Sequence, residues 1–108
     1  MATQKDYIDF LLEQLEGIGL LRAQKMFGEY MIYVDDCPIL LVCDGQVYVK
    51  INEVTQPVME DVYPKGSPYL GAKPHYMLNP DERESFRMLT QMIREQSSWV
   101  EYFSKKKK

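Results

Sequence analysis

One histidine, His75, and two cysteines, Cys37 and Cys43, are the side chains that acid–base, nucleophilic or metal chemistry would first recruit in this chain. A general base needs a nucleophile or proton donor held within hydrogen-bond reach. No Ser, Cys or Asp motif here identifies such a partner for His75, which sits beside Tyr76 in a strand-like run and reads as structural. The cysteines flank another strand-like run. Six extended residues at ~3.3 Å each separate them by about 20 Å, well beyond the roughly 7 Å limit for a disulfide. With no Cys-x-x-Cys pair and a single histidine there is no metal-ligand spacing either, so both are expected to be reduced thiols.

Other candidates dissolve on the same test. Gly17 and Gly19, in Glu16-Gly-Ile-Gly-Leu20, echo a phosphate-binding glycine loop. They follow a helical pattern instead of joining a strand to a helix, so a helix cap is the better reading. The acids lie on expected helix faces and turns, where solvation accounts for them. The eight tyrosines include Tyr30, Tyr33, Tyr48, Tyr63, Tyr69 and Tyr76 in the middle of the chain. They read as amphipathic strand residues at the core edge with hydroxyls in water; the alternative is that they line a ligand groove. No catalytic, cofactor or metal constellation emerges, and the chain is not expected to be an enzyme.

Whatever the chain does, 108 residues must position it, and that length suits one domain with a core of its own. Hydrophobic residues at 45% and charged residues at 27% describe a globular protein. Its 13 basic and 16 acidic residues give a formal charge of −3. Four of the basic residues form the terminal run Lys105–Lys108, so the body holds nine against 16, a formal −7. Such a body lacks the basic face that supplies most duplex affinity. The terminal lysines read as a solvated tail after a domain spanning 1–104. No apolar run approaches the ~20 residues of a membrane span, and a cytoplasmic location is expected.

The elements follow from hydrophobic period. Thr3-Gln4-Lys5-Asp6 has capping-box form, and Ile8, Leu11, Leu12 and Leu15 recur at helical spacing opposite Asp9, Glu13 and Glu16. This predicts a helix of about four turns closed by Gly17. The period then shortens to two. Strands are predicted near Ala23–Phe27, Tyr30–Val34, Ile39–Cys43 and Val47–Ile51, with Asp44-Gly45 as a type I′ turn. In the last of these Val47, Val49 and Ile51 face one way, Tyr48 and Lys50 the other. Gly28 marks a bulge or close approach, with Met26 and Phe27 as core residues under the first helix.

Gln56-Pro57 opens a short helix over Val58, Met59, Val62 and Tyr63, residues 65–74 form a loop, and His75–Leu78 is the last strand. Asn79-Pro80-Asp81-Glu82 then starts a helix buried through Phe86, Leu89, Met92, Ile93 and Val100, with a break expected at Ser97-Ser98. The fold class is α+β: an antiparallel meander packed in two layers against N-terminal and C-terminal helices.

An amphipathic helix followed by Lys25-Met26-Phe27-Gly28, Met31-Ile-Tyr-Val-Asp35, Pro38-Ile-Leu-Leu-Val42 and Val47-Tyr-Val-Lys-Ile51 resembles the N-terminal domain of the TfoX (Sxy) competence regulators. Pro68-Tyr69, His75-Tyr-Met-Leu78 and the proline-acidic start of the last helix extend the resemblance over nearly the whole chain. Glu29 stands where a second glycine is common, and Asp36-Cys37 where the hairpin often has Asp-Gly. The resemblance implies a bacterial α+β protein. TfoX proteins promote transcription of competence genes with a cyclic-AMP receptor protein and add a second helical domain, which this chain is expected to lack. It therefore implies a stand-alone regulatory module acting through protein contacts, with the transcription machinery as the partner class. Neither direct DNA binding nor membrane attachment is expected. Met26, Phe27, Gly28, Tyr30 and Lys50 are the motif residues. The Met26–Tyr30 bend or an edge strand is the surface that would meet a partner or a second copy. The alternative is a small-ligand domain whose tyrosine-rich sheet face and 65–74 loop enclose a pocket.

Overall fold

The computed structural model describes residues 4–26 and 29–96 in full and 97–106 as helical backbone. A six-stranded antiparallel sheet runs in the order β1-β2-β3-β4-β6-β5. Its strands are β1 (Leu21–Met26), β2 (Glu29–Val34), β3 (Cys37–Cys43), β4 (Gln46–Lys50), β5 (Lys65–Gly66) and β6 (His75–Leu78). Helices α1 (Lys5–Gln14) and α3 (Arg83–Lys106) pack on one face, and a single turn of helix, α2 (Gln56–Met59), follows β4. This is the expected two-layer α+β arrangement.

Alternation decides which side chains meet the helices, because successive residues in a strand point to opposite faces. Ile32 and Val34 of β2, Leu40 and Val42 of β3, Val47 and Val49 of β4, and Tyr76 and Leu78 of β6 are all buried on the helix-facing side. Ile8, Leu11 and Leu15 meet them from the first helical segment, and Phe86, Leu89 and Ile93 from α3. The β2–β3 ladder is irregular: the register shifts between Ile32 and Tyr33, opposite Ile39, which joins the core.

The β2–β3 and β3–β4 turns use left-handed backbone. Asp44 and Gly45 take φ +52° and +75°, as the Asp-Gly turn demands, and Asp35 and Asp36 do the same at +51° and +66° without a glycine. Left-handed Asp residues are tolerated because the short polar side chain finds local partners. Asp35 illustrates this. Its Oδ1 accepts from the Leu20 amide at 2.9 Å, while its own amide donates to the Leu20 carbonyl at 2.8 Å. Its Oδ2 receives Arg94 of α3 through Nε at 2.8 Å and through a second, ion-paired nitrogen. One carboxylate thus joins the loop after α1, the β2–β3 turn and the last helix.

The Leu20 amide, then Arg94, hold the Asp35 carboxyl below its ordinary value of 3.8. A depressed folded-state pKa stabilises the fold above the unfolded value and ceases to do so as pH falls through the folded one. Melting temperature should therefore decline as pH drops below about 4, and Asp35→Asn should make that decline shallower in pH-resolved thermal melts. An unchanged acid slope would show that the triple junction contributes nothing to acid stability.

Several elements differ from expectation in extent. Helix α1 has ten residues, fewer than four turns, with Gln4 as N-cap and no side-chain cap bond; Thr3, the expected cap, lies outside the described residues. Gly17 does take the left-handed conformation at φ +95°. The α2 turn stops at Met59; Val58 within it and Val62 beyond it are both exposed. Asn79 caps a turn through the Asp81 amide (3.0 Å), and α3 begins later, at Arg83. No break occurs at Ser97-Ser98; the helix continues through Lys105 and Lys106 of the expected tail. Helix propensity prevails there because nothing but two serines interrupts the run, and serine costs only a few tenths of a kcal/mol inside a helix.

Candidate functional site

Among the described residues, helices cover one face of the sheet and leave the other open. On the other, alternation displays Met31 and Tyr33 from β2, Leu41 from β3, Tyr48 and Lys50 from β4, and His75 and Met77 from β6. Cross-strand partners bring Met31 beside Leu41, Leu41 beside Tyr48, and Lys50 beside His75. A diagonal contact links the last two pairs: the rings of Tyr48 and His75 meet edge to face at 87°, 6.3 Å apart. The turn at residues 52–54 rises beside this patch and turns it into an open groove of about 640 Å³.

That wall is tied to the strand end. Asn52 Oδ1 accepts from the amides of Val54 (2.8 Å) and Thr55 (3.1 Å). The buried Thr55 hydroxyl donates to the Lys50 carbonyl at 2.8 Å and accepts from the Asn52 amide at 3.0 Å. Asn-led turns of this kind replace backbone pairing where a strand ends.

The polar groups of the groove keep free capacity. His75 Nδ1 lies 2.8 Å from the Lys73 carbonyl oxygen, which can only accept, so the proton sits on Nδ1 and Nε2 is the atom available to a ligand. Neither Lys50 Nζ nor the Tyr48 hydroxyl has a hydrogen-bond or ion-pair partner among the described residues. Burial, then Cys43 and Asp44, raise the Tyr48 phenol above its ordinary value, so it remains a donor. Cys43, buried nearby, is pushed up to about 11, chiefly by burial, and stays a thiol. Cys37 and Cys43 are both buried and unbridged. No group of three His, Cys, Asp or Glu side chains suited to a metal gathers among the described residues.

Of the described motif residues, Lys50 alone lies in this groove. Tyr30 is on the helix-facing side against the core. Met26 is half-buried at the end of edge strand β1 and outside the core cluster, because alternation places it with Arg22 and Gln24; Phe27 and Gly28 lie outside the described residues. The tyrosines do not form one cluster. Tyr76 is fully buried and donates to Glu60 at 2.6 Å; burial, and then this bond, push its phenol up to about 12. Tyr69 is exposed, and Tyr33 lies 4.0 Å beneath the Arg22 guanidinium. The pocket wall is the 52–54 turn and not the 65–74 loop. His75, Leu41 and Met31 complete the groove. Alternation already grouped Tyr48 with Lys50, but the pairing with His75 crosses a connection of some two dozen residues that carries no register signal.

Glu29 accepts the Asp44 amide at 2.9 Å, bracing the neighbouring hairpin. Edge strand β1 carries Arg22 and Lys25, charges that discourage pairing with another strand.

Comparison with known proteins matches residues 13–102 to the TfoX N-terminal domain. The chain is also similar to a protein of Spirochaeta aurantia described as an uncharacterized 12.7 kDa protein in the trpE 5′ region. Identity is 32% over 88 residues, covering 81% of this chain and 75% of that relative.

Proposed function

The chain belongs to the TfoX N-terminal domain family, and from that premise we propose that it is a non-enzymatic regulatory module that acts through protein contacts in transcriptional control, competence being the process the family points to. The observation that supports this reading is the uncovered sheet face, where Met31, Leu41 and Tyr48 stay half-exposed on a rigid, centrally paired platform. Apolar and aromatic side chains on such a platform suit a protein contact. The charge argues in the same direction: a net −3 with a more acidic body repels a phosphate backbone.

Two titrations test the proposal. With duplex DNA at two salt concentrations, no binding is expected at physiological salt; micromolar affinity with a steep salt slope would overturn the proposal. With purified cyclic-AMP receptor protein, binding is expected, and Leu41→Asp should weaken it by ~10-fold or more, as loss of a central apolar contact does. A thermal melt of the same variant should stay close to the parent, since Leu41 faces away from the core. Equal affinity of the two proteins would remove the sheet face from the contact.

A further inference from the structure

We infer that the groove on the open sheet face is a binding site for a small amphipathic monocarboxylate, whose carboxylate meets Lys50 and Tyr48 and whose apolar body lies over Met31, Leu41 and Val54. The inference stands apart from the protein-contact reading, since it requires only the groove and its unpaired groups.

Four observations lead to it. The first is convergence: Tyr48 and Lys50 share a face by alternation, and the antiparallel register sets His75 directly opposite Lys50. Opposed residues in such a pair have their Cβ atoms about 5 Å apart. Two donors from β4 and an imidazole from the adjacent β6 are thus held together without a loop having to order.

The second is unused bonding capacity. Lys50 Nζ offers three donors and the Tyr48 hydroxyl one, with no partner for either among the described residues. His75 is oriented by Lys73 and closes one end with its ring edge-on to Tyr48. A cation and a phenol beside each other match a carboxylate, because charge-assisted hydrogen bonds are stronger than neutral ones.

The third is the floor. Met31, Pro38 and Leu41 are apolar, Val54 adds an apolar wall, and the volume of about 640 Å³ is of the size that small-molecule sites have. The wall is preorganised by the Asn52 and Thr55 bonds, so little ordering opposes binding.

The fourth is charge number. The groove has one lysine, with Glu53 at its rim, on a chain of net charge −3. A single negative charge is matched there, whereas a phosphate dianion or a polyanion meets repulsion with no second lysine or arginine among the described residues that line the groove.

The test titrates the full chain with octanoate and with 3-phenylpropionate, and in parallel with octanamide and 3-phenylpropionamide, following backbone amide resonances. The acids should shift the amides of Leu41, Tyr48, Lys50, Val54 and His75. The isosteric amides should bind ~10-fold more weakly, a difference of about 1.4 kcal/mol. Lys50→Met, at an exposed position, should lower affinity for both acids ~10-fold and leave amide affinity unchanged. Tyr48→Phe should show a smaller loss of the same selectivity. Equal binding of acids and amides, shifts that map to the helical side, or no shifts at ~10 mM acid would each overturn the inference.

Discussion

Phe86→Ala is expected to lower the melting temperature by roughly 15–30 °C, the largest single-residue effect on this fold. Phe86 is 1% exposed and sits on the buried stripe of α3, which closes the helix layer over the sheet. Removing a buried phenyl ring loses its transfer free energy and leaves a cavity that the surroundings fill only partly, together about 3–5 kcal/mol. Domains of this size are stable by only ~5–15 kcal/mol in total, and each kcal/mol is worth about 4–8 °C. The hydrogen bond from the Thr90 hydroxyl to the Phe86 carbonyl, 2.7 Å long, survives the change, so the loss reports packing alone. Met88, two positions on and 70% exposed, is the control: Met88→Ala should change stability by less than ~0.5 kcal/mol. Denaturant melts of both variants measure the pair. A Phe86→Ala loss below ~1 kcal/mol would mean that α3 does not close the core.

Thr55→Val is expected to cost about 2–3 kcal/mol although it changes neither shape nor volume appreciably. Thr55 is fully buried and its hydroxyl serves two backbone groups at once, the Lys50 carbonyl and the Asn52 amide. Valine fits the same space and serves neither. A buried backbone group left without a partner costs ~1–3 kcal/mol, more than the bond itself contributed. The consequence reaches beyond stability, because these bonds fix the 52–54 wall against the strand end that carries Lys50. Amide hydrogen exchange at Val54 should accelerate in the variant, while exchange in β2 and β3, which share no bond with Thr55, should follow only the global stability. Stability within ~0.5 kcal/mol of the parent would show that the corner does not depend on the hydroxyl.

The contrast between these residues shows how legible the fold was. Phe86 could be assigned to the core from spacing alone, since Phe86, Leu89 and Ile93 recur at helical intervals after an N-terminal helix signal. The alternation of Val47, Val49 and Ile51 against Tyr48 and Lys50 likewise predicted both faces of β4 correctly, and Asp44-Gly45 predicted its turn. Asp35-Asp36 was less readable. Left-handed Asp residues depend on partners, and here those come from Leu20 and Arg94, 15 and 59 residues away in sequence. Thr55 was not legible at all, because a lone threonine between a strand and a helix signal does not disclose that its hydroxyl will be buried. Met26 was misread for a related reason: apolar character suggested the core, yet its parity along β1 sets it on the other face.

What the sequence determined by itself is local: the types of most elements though not β5, the parity of β4, one hairpin turn and the family to which the chain belongs. Backbone stereochemistry and hydrophobic period act over a few residues, so they can be read along the chain. What only the tertiary structure decided is which strand lies beside β4 and which face is left bare. The 24 residues between Lys50 and His75 carry no periodic signal for strand order. The pairing follows from global packing, with Tyr76 and Leu78 completing the apolar layer beneath the helices. That same pairing puts His75 against Lys50 and makes the groove, because burying one side of β6 obliges the alternate side chains to face the other way.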